Sequence, residues 1–172
     1  MKNKKKADIK GFYEFTQNNS GGSFTTDKNL CHRLFIEAES EGEAISKAED
    51  LGCYWNGCES GSDCDCCGDR WSISTYFVPE SIEFDVCVYS RDEKQEKQAE
   101  EEWNIKYGKY PLAKAPQWEK TAKRYSSRRY YGKILITSIE EYAQFMANEY
   151  GWTSPDARIF FLDGKVVEIF KK

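Results

Sequence analysis

Apolar and polar residues recur along this chain at intervals that mark strands near both ends and two amphipathic helices. Gly11 to Gln17 sets Phe12, Tyr13 and Phe15 in a short extended run. The Asn-Asn-Ser-Gly-Gly-Ser that follows, Asn18 to Ser23, tolerates positive φ, so a hairpin into an extended segment from Phe24 is expected. Leu30 to Glu37 is the next expected strand. Ser40 and Glu43 form a capping box ahead of Ala44, Ile45, Ala48 and Leu51, which recur at helical spacing, and Gly52 fits the residue that ends such a helix.

The same grammar returns towards the C-terminus. Lys133 to Thr137 reads as a buried strand and Ser138 with Glu141 as a second capping box. Ile139, Tyr142, Phe145, Met146 and Tyr150 supply the apolar stripe of a helix closed by Gly151. Asp163-Gly164 then joins two strands, Arg158 to Leu162 and Lys165 to Phe170, in a hairpin. Between these ends, Trp71 to Val78 and Ser81 to Tyr89 read as strands paired around Pro79-Glu80. Arg91 to Glu102 has no apolar stripe and reads as a solvated helix or a connector, and Pro111 and Pro116 are expected to interrupt regular structure.

Together these elements predict an α+β fold: mainly antiparallel sheet, two capped amphipathic helices and a cysteine-rich, zinc-knuckle-like loop. Residues 1–90 form an α+β unit and 91–132 a charged connector rich in basic and aromatic residues. Residues 133–172 form a β-α-β-β unit that packs with the first as one compact domain.

Composition narrows the class. The 172 residues are 40% hydrophobic and include 5 Trp, 11 Tyr and 10 Phe, which excludes wholesale disorder. No stretch approaches the about 20 apolar residues of a membrane span, and Met-Lys-Asn-Lys-Lys-Lys is not followed by a signal-peptide core, so a cytosolic protein without membrane contact is expected. The net charge of −4 hides a separation. From Asp27 to Glu102 there are 20 acidic and 7 basic residues, whereas Asn104 to Lys133 holds nine basic and one acidic. Such a dipole bears on partners and on intramolecular docking.

Five of the seven cysteines, Cys53, Cys58, Cys64, Cys66 and Cys67, fall close together. Cys64-Asp65-Cys66-Cys67-Gly68 has the C-x-x-C-G form of a zinc knuckle, in which two thiolates face one metal and a glycine lets the turn close. The expected ligand set for a structural zinc is Cys53, Cys58, Cys64 and Cys67, with Cys31, His32 and Cys66 as substitutes. Metal-free thiols and redox chemistry at Cys66-Cys67 stay open beside it. Glu59, Asp63, Asp65 and Asp69 stabilise a cation there but raise thiol pKa values, which counts against a reactive thiolate. The single histidine, His32, points away from hydrolytic catalysis, which usually draws on several.

The segment from Asn104 to Lys133 interleaves cations and rings. Lys106, Lys109, Trp118, Lys123, Arg124, Tyr125, Arg128, Arg129 and Tyr130 are its candidates for binding phosphate or a partner, by charge attraction and stacking. Docking on the chain's own acidic residues, or on a second subunit of a homo-oligomer, is the equal alternative.

Phe12-Tyr13-Glu14-Phe15, Asn18-Asn19-Ser20-Gly21-Gly22-Ser23-Phe24, Cys31-His32-Arg33, Ile36-Glu37-Ala38 and Cys64-Asp65-Cys66-Cys67-Gly68-Asp69-Arg70-Trp71 resemble a family of small uncharacterised proteins of tailed bacteriophages. The likeness covers roughly the first half of the chain. Where relatives resemble Cys-Pro-x-Cys-Gly, this chain has Asp65 in place of the proline. The resemblance implies a phage setting and the host-cell cytoplasm. The expectation is therefore a non-enzymatic accessory protein that captures a host protein or a nucleotide signal in host takeover or counter-defence. The alternative is a zinc-knuckle protein that binds nucleic acid through residues 104–133.

Overall fold

In the computed structural model, which describes residues 10–72, 75–90, 96–120 and 128–172, the expected α+β fold is present, with mostly antiparallel sheets and a cysteine-rich loop. The first elements are β1 (Gly11–Thr16), β2 (Arg33–Ala38), α1 (Glu41–Leu51), the short α2 (Gly57–Ser60) and β3 (Tyr76–Val78). There follow β4 (Ile82–Ser90), α3 (Glu96–Tyr107), β5 (Leu112–Lys120), β6 (Arg128–Ile136), α4 (Ile139–Tyr150), β7 (Ala157–Phe160) and β8 (Val166–Ile169). The chain divides into two units. One runs to Glu80 and resumes from Ser138 to Lys172; the other is Ser81–Thr137. These boundaries differ from those drawn at residues 90 and 132, because β4 and β6 belong to a sheet of their own.

The first unit is built on a five-stranded sheet in the order β3-β1-β2-β7-β8, parallel only between β2 and β7. β1 pairs with β2 and not with a strand at Phe24; a 3-10 turn, Ser20–Gly22, occupies the middle of the expected hairpin tip. β2 is buried on both faces, as alternation in a central strand requires. Leu34 and Ile36 pack with Ala44 and Ala48 of α1, while Phe35 meets the ring of Tyr142 on α4 at 5.5 Å. Both expected caps form: Ser40 Oγ accepts from the Glu43 amide and Ser138 Oγ from the Glu141 amide. Gly52 ends α1 in the left-handed conformation, whereas Gly151 ends α4 extended. Asp163-Gly164 turns β7 into β8 as expected.

The second unit packs α3 on the antiparallel sheet β4-β6-β5. Two expectations change here. β3 and β4 do not pair with each other, since β3 joins β1 and β4 joins β6. α3 does carry an apolar stripe, but it is Ala99, Trp103 and Tyr107, most of it beyond Glu102. Pro116 sits inside β5 without ending it. The ladder slips between Lys114 and Gln117, so its missing N–H is not called for, and a side chain on the facing Gly132 would come within 3.1 Å of the Pro116 Cα. Among the described residues, no helix is long and apolar enough to cross a membrane.

Candidate metal centre

Cys64-Asp65-Cys66-Cys67-Gly68 closes as a tight turn. The amides of Cys67 and Gly68 both donate to the Cys64 carbonyl oxygen at 3.0 Å, and Gly68 takes φ 80°. The turn gathers three thiols: the sulfurs of Cys64, Cys66 and Cys67 lie within 4.8 Å of one another. Cys64 and Cys66 approach to 2.6 Å and Cys66 and Cys67 to 3.5 Å. A tetrahedral centre with metal–sulfur bonds of about 2.3 Å sets its sulfurs about 3.8 Å apart, so small side-chain rotations let this cluster hold a metal ion. Hydrogen bonding from the Cys66 thiol, and then from the Cys66 amide, holds the Cys64 thiol below its ordinary pKa. The same contact, with Cys67, pushes the Cys66 thiol up to about 12. Cys64 forms its thiolate first, and Cys66 needs a cation to follow.

A buried ion pair holds the loop in place. The Arg70 guanidinium, 8% exposed, donates to the carbonyl oxygens of Ser20 at 2.7 Å and Ser23 at 2.5 Å, and its Nε lies 3.5 Å from Asp63. Asp63 also accepts from the Arg70 amide at 2.7 Å and from the Tyr54 hydroxyl at 2.7 Å. Burial works to raise the Asp63 carboxyl, but these donors and the Arg70 charge outweigh it and hold the group below the usual range. Asp63 fills the space beside Gly57, where an added Cβ would meet its Oδ2 at 1.9 Å. Ser20 Oγ accepts the Cys64 amide at 2.9 Å, and the Asn18 side chain donates to the carbonyl oxygens of Cys67 and Asp69. The Asn18–Ser23 turn and the cysteine turn are thus one structure.

The structure brings together only part of the expected ligand set. Cys64 and Cys67 meet as expected, and Cys66 joins them as a full member. Cys53 does not: it is 5% exposed in the hydrophobic core with Cys31, and burial pushes each thiol up to about 12. Cys58 lies beside the turn but outside the three-sulfur group, its Sγ 3.5 Å from the Cys64 carbonyl oxygen and its amide donating to Asp69 at 2.8 Å. Burial, then the Asp69 carboxylate, pushes its thiol up to about 11. His32 is enclosed against the Phe24 ring at 4.9 Å, and burial followed by the Arg33 charge lowers its pKa to about 4. Spacing could not separate core thiols from loop thiols, because Cys53 belongs to the end of α1 and not to the turn. Arg70 and Asp63 carry no spacing signal; only the resemblance drew the two motifs out together.

The basic, aromatic candidates among the described residues have intramolecular partners. Trp118 packs on Tyr130 at 5.0 Å, and Tyr130 meets Trp103 edge-on at 5.9 Å. Arg128 pairs with Glu96, and Arg129 donates to Glu119 at 2.6 Å. Lys106 and Lys109 lie over the rings of Tyr107 and Tyr110, each at 5.0 Å. Lys123, Arg124 and Tyr125 lie outside the described residues.

Fold and site together define an α+β protein with a thiol cluster on a pinned surface loop. Residues 10–110 match a family described as a domain of unknown function, DUF7296, and the chain belongs to that family. No curated protein and no solved structure matches the chain.

Proposed function

We propose that the chain is a non-enzymatic phage accessory protein that acts in the host cytoplasm by binding a host protein, with zinc at Cys64, Cys66 and Cys67 fixing the loop that it presents. The observation that carries this reading is the three-sulfur cluster on a turn tied down by Arg70, Asp63, Ser20 and Asn18. A built scaffold beneath an exposed turn suits a structural metal and a binding surface. The single histidine, enclosed and held neutral, supports binding over acid-base catalysis. Trp152, 73% exposed just beyond α4, is the type of side chain that protein contacts use as an anchor. A nucleotide signal is the lesser option, because among the described candidates Trp118 packs on Tyr130 and Arg129 is bonded to Glu119.

Elemental analysis of protein purified without a histidine tag tests the metal, with near-stoichiometric zinc expected. Affinity capture from host lysate, compared between wild type and Cys64→Ser, tests the binding surface. Metal-free protein, or capture identical in the two proteins, overturns the reading.

A further inference from the structure

The metal reading leaves the coordination sphere one ligand short. No other Cys, His, Asp or Glu among the described residues joins Cys64, Cys66 and Cys67 within the 4.8 Å grouping. Cys53 is locked in the core. Cys58 sits on α2, between left-handed Asn56 and Gly61, and its sulfur lies outside the three-sulfur group. Its amide is also held by Asp69. Cys66 and Cys67 are exposed, so the missing side of the sphere faces solvent.

We propose that a metal at this cluster keeps its fourth position open and that the position takes a neutral nitrogen donor, the imidazole of another molecule. Three thiolates and a divalent ion carry a net charge of −1, and Asp65 and Asp69 lie on the same loop, with Glu59 close in sequence on α2. A fourth thiolate would add charge to an already anionic site, whereas imidazole adds none and is a stronger ligand than water. The chain cannot supply it, because His32 is 5% exposed and enclosed beside Phe24. A structural centre of this kind is closed only by the partner that it meets, in contrast to a four-cysteine knuckle.

This inference rests on the metal reading, and cobalt substitution separates the two. Co(II) titrated into the full chain is expected to give sulfur-to-metal charge-transfer absorption of three thiolates. Cys66→Ser should lower it by about one third and Cys58→Ser should leave it unchanged. Added free imidazole should shift the visible bands saturably with the charge-transfer intensity preserved, and glutathione should shift them less. A loss of about one quarter in Cys58→Ser, or no response to imidazole, overturns the open position while the metal stands. No cobalt or zinc binding overturns both.

Discussion

Arg70 Nη2 donates to the carbonyl oxygen of Ser20 at 2.7 Å, which makes one guanidinium the joint between the Asn18–Ser23 turn and the cysteine turn. The chain thus keeps a buried cation to hold irregular backbone that has no ladder partners. Removing it leaves Asp63, itself fully enclosed, without its counter-charge and orphans two carbonyl oxygens. Arg70→Ala is expected to cost about 3–5 kcal/mol. Arg70→Lys should recover little, because a single ammonium cannot reach the same fork of acceptors. Denaturant unfolding followed by tryptophan fluorescence reads both; a cost under about 0.5 kcal/mol would show that the joint carries no stability.

Gly57 and Gly42 should respond to alanine with opposite signs. At Gly57 the new Cβ would sit 1.9 Å from Asp63 Oδ2, and displacing that carboxylate breaks its bonds to Tyr54 and Arg70. About 1–3 kcal/mol of destabilisation is expected. Gly42 lies in the first turn of α1 with open space around it, so Gly42→Ala should stabilise by about 0.5 kcal/mol through helix propensity. Thermal melts of the two variants side by side settle the comparison.

The legible parts of this molecule are those set by local chemistry. Ser40 and Ser138 cap their helices, Gly52 stops α1, and Asp163-Gly164 turns the last hairpin, because each signal acts within a few residues. Strand partners were not legible. Nothing local tells Phe12 that its partner is Glu37 across the sheet and not a residue near Phe24, and Pro116 reads as a breaker until Gly132 is seen facing it. The candidate site divides the same way. The C-x-x-C-G turn announces Cys64 and Cys67, while the exclusion of Cys53 depends on a core assembled from β1, β2 and α1.

His32 gives the fold a pH dependence of definite sign. Its folded pKa of about 4 lies below the unfolded value of 6.5, so the unfolded chain takes up the proton first as pH falls. The stability that His32 contributes is complete above pH 6.5 and drains away between there and about pH 4, by at most about 3 kcal/mol. His32→Leu should flatten urea midpoints across this window. An unchanged slope in the variant would assign the acid sensitivity to other groups.

In the second unit the weight of α3 rests on Trp103, which is 1% exposed and meets both Tyr107 and Tyr130. Trp103→Ala should cost about 3–5 kcal/mol by loss of buried area and the cavity left behind. Ile105, two residues on and 85% exposed, faces the other way, and Ile105→Ala should stay within about 0.5 kcal/mol of wild type. Circular dichroism melts of the two variants test whether the stripe seen in the structure is the one that holds the helix.

Metal dependence distinguishes the loop thiols from the core thiols. Zinc that binds only the folded chain adds about 3 kcal/mol at a free concentration one hundred times its dissociation constant, and a chelator removes that increment. Cys67→Ser takes away one of three clustered sulfurs, so it should weaken zinc binding and shrink the response to a fixed free zinc concentration while changing the metal-free melting temperature little, since Cys67 is exposed. Cys53→Ser should do the reverse. It places a hydroxyl in the core beside Cys31 and lowers stability with and without zinc alike, leaving the zinc increment intact. If Cys53→Ser instead lost the zinc response, the core thiol would be a ligand and the three-sulfur turn would not be the metal site.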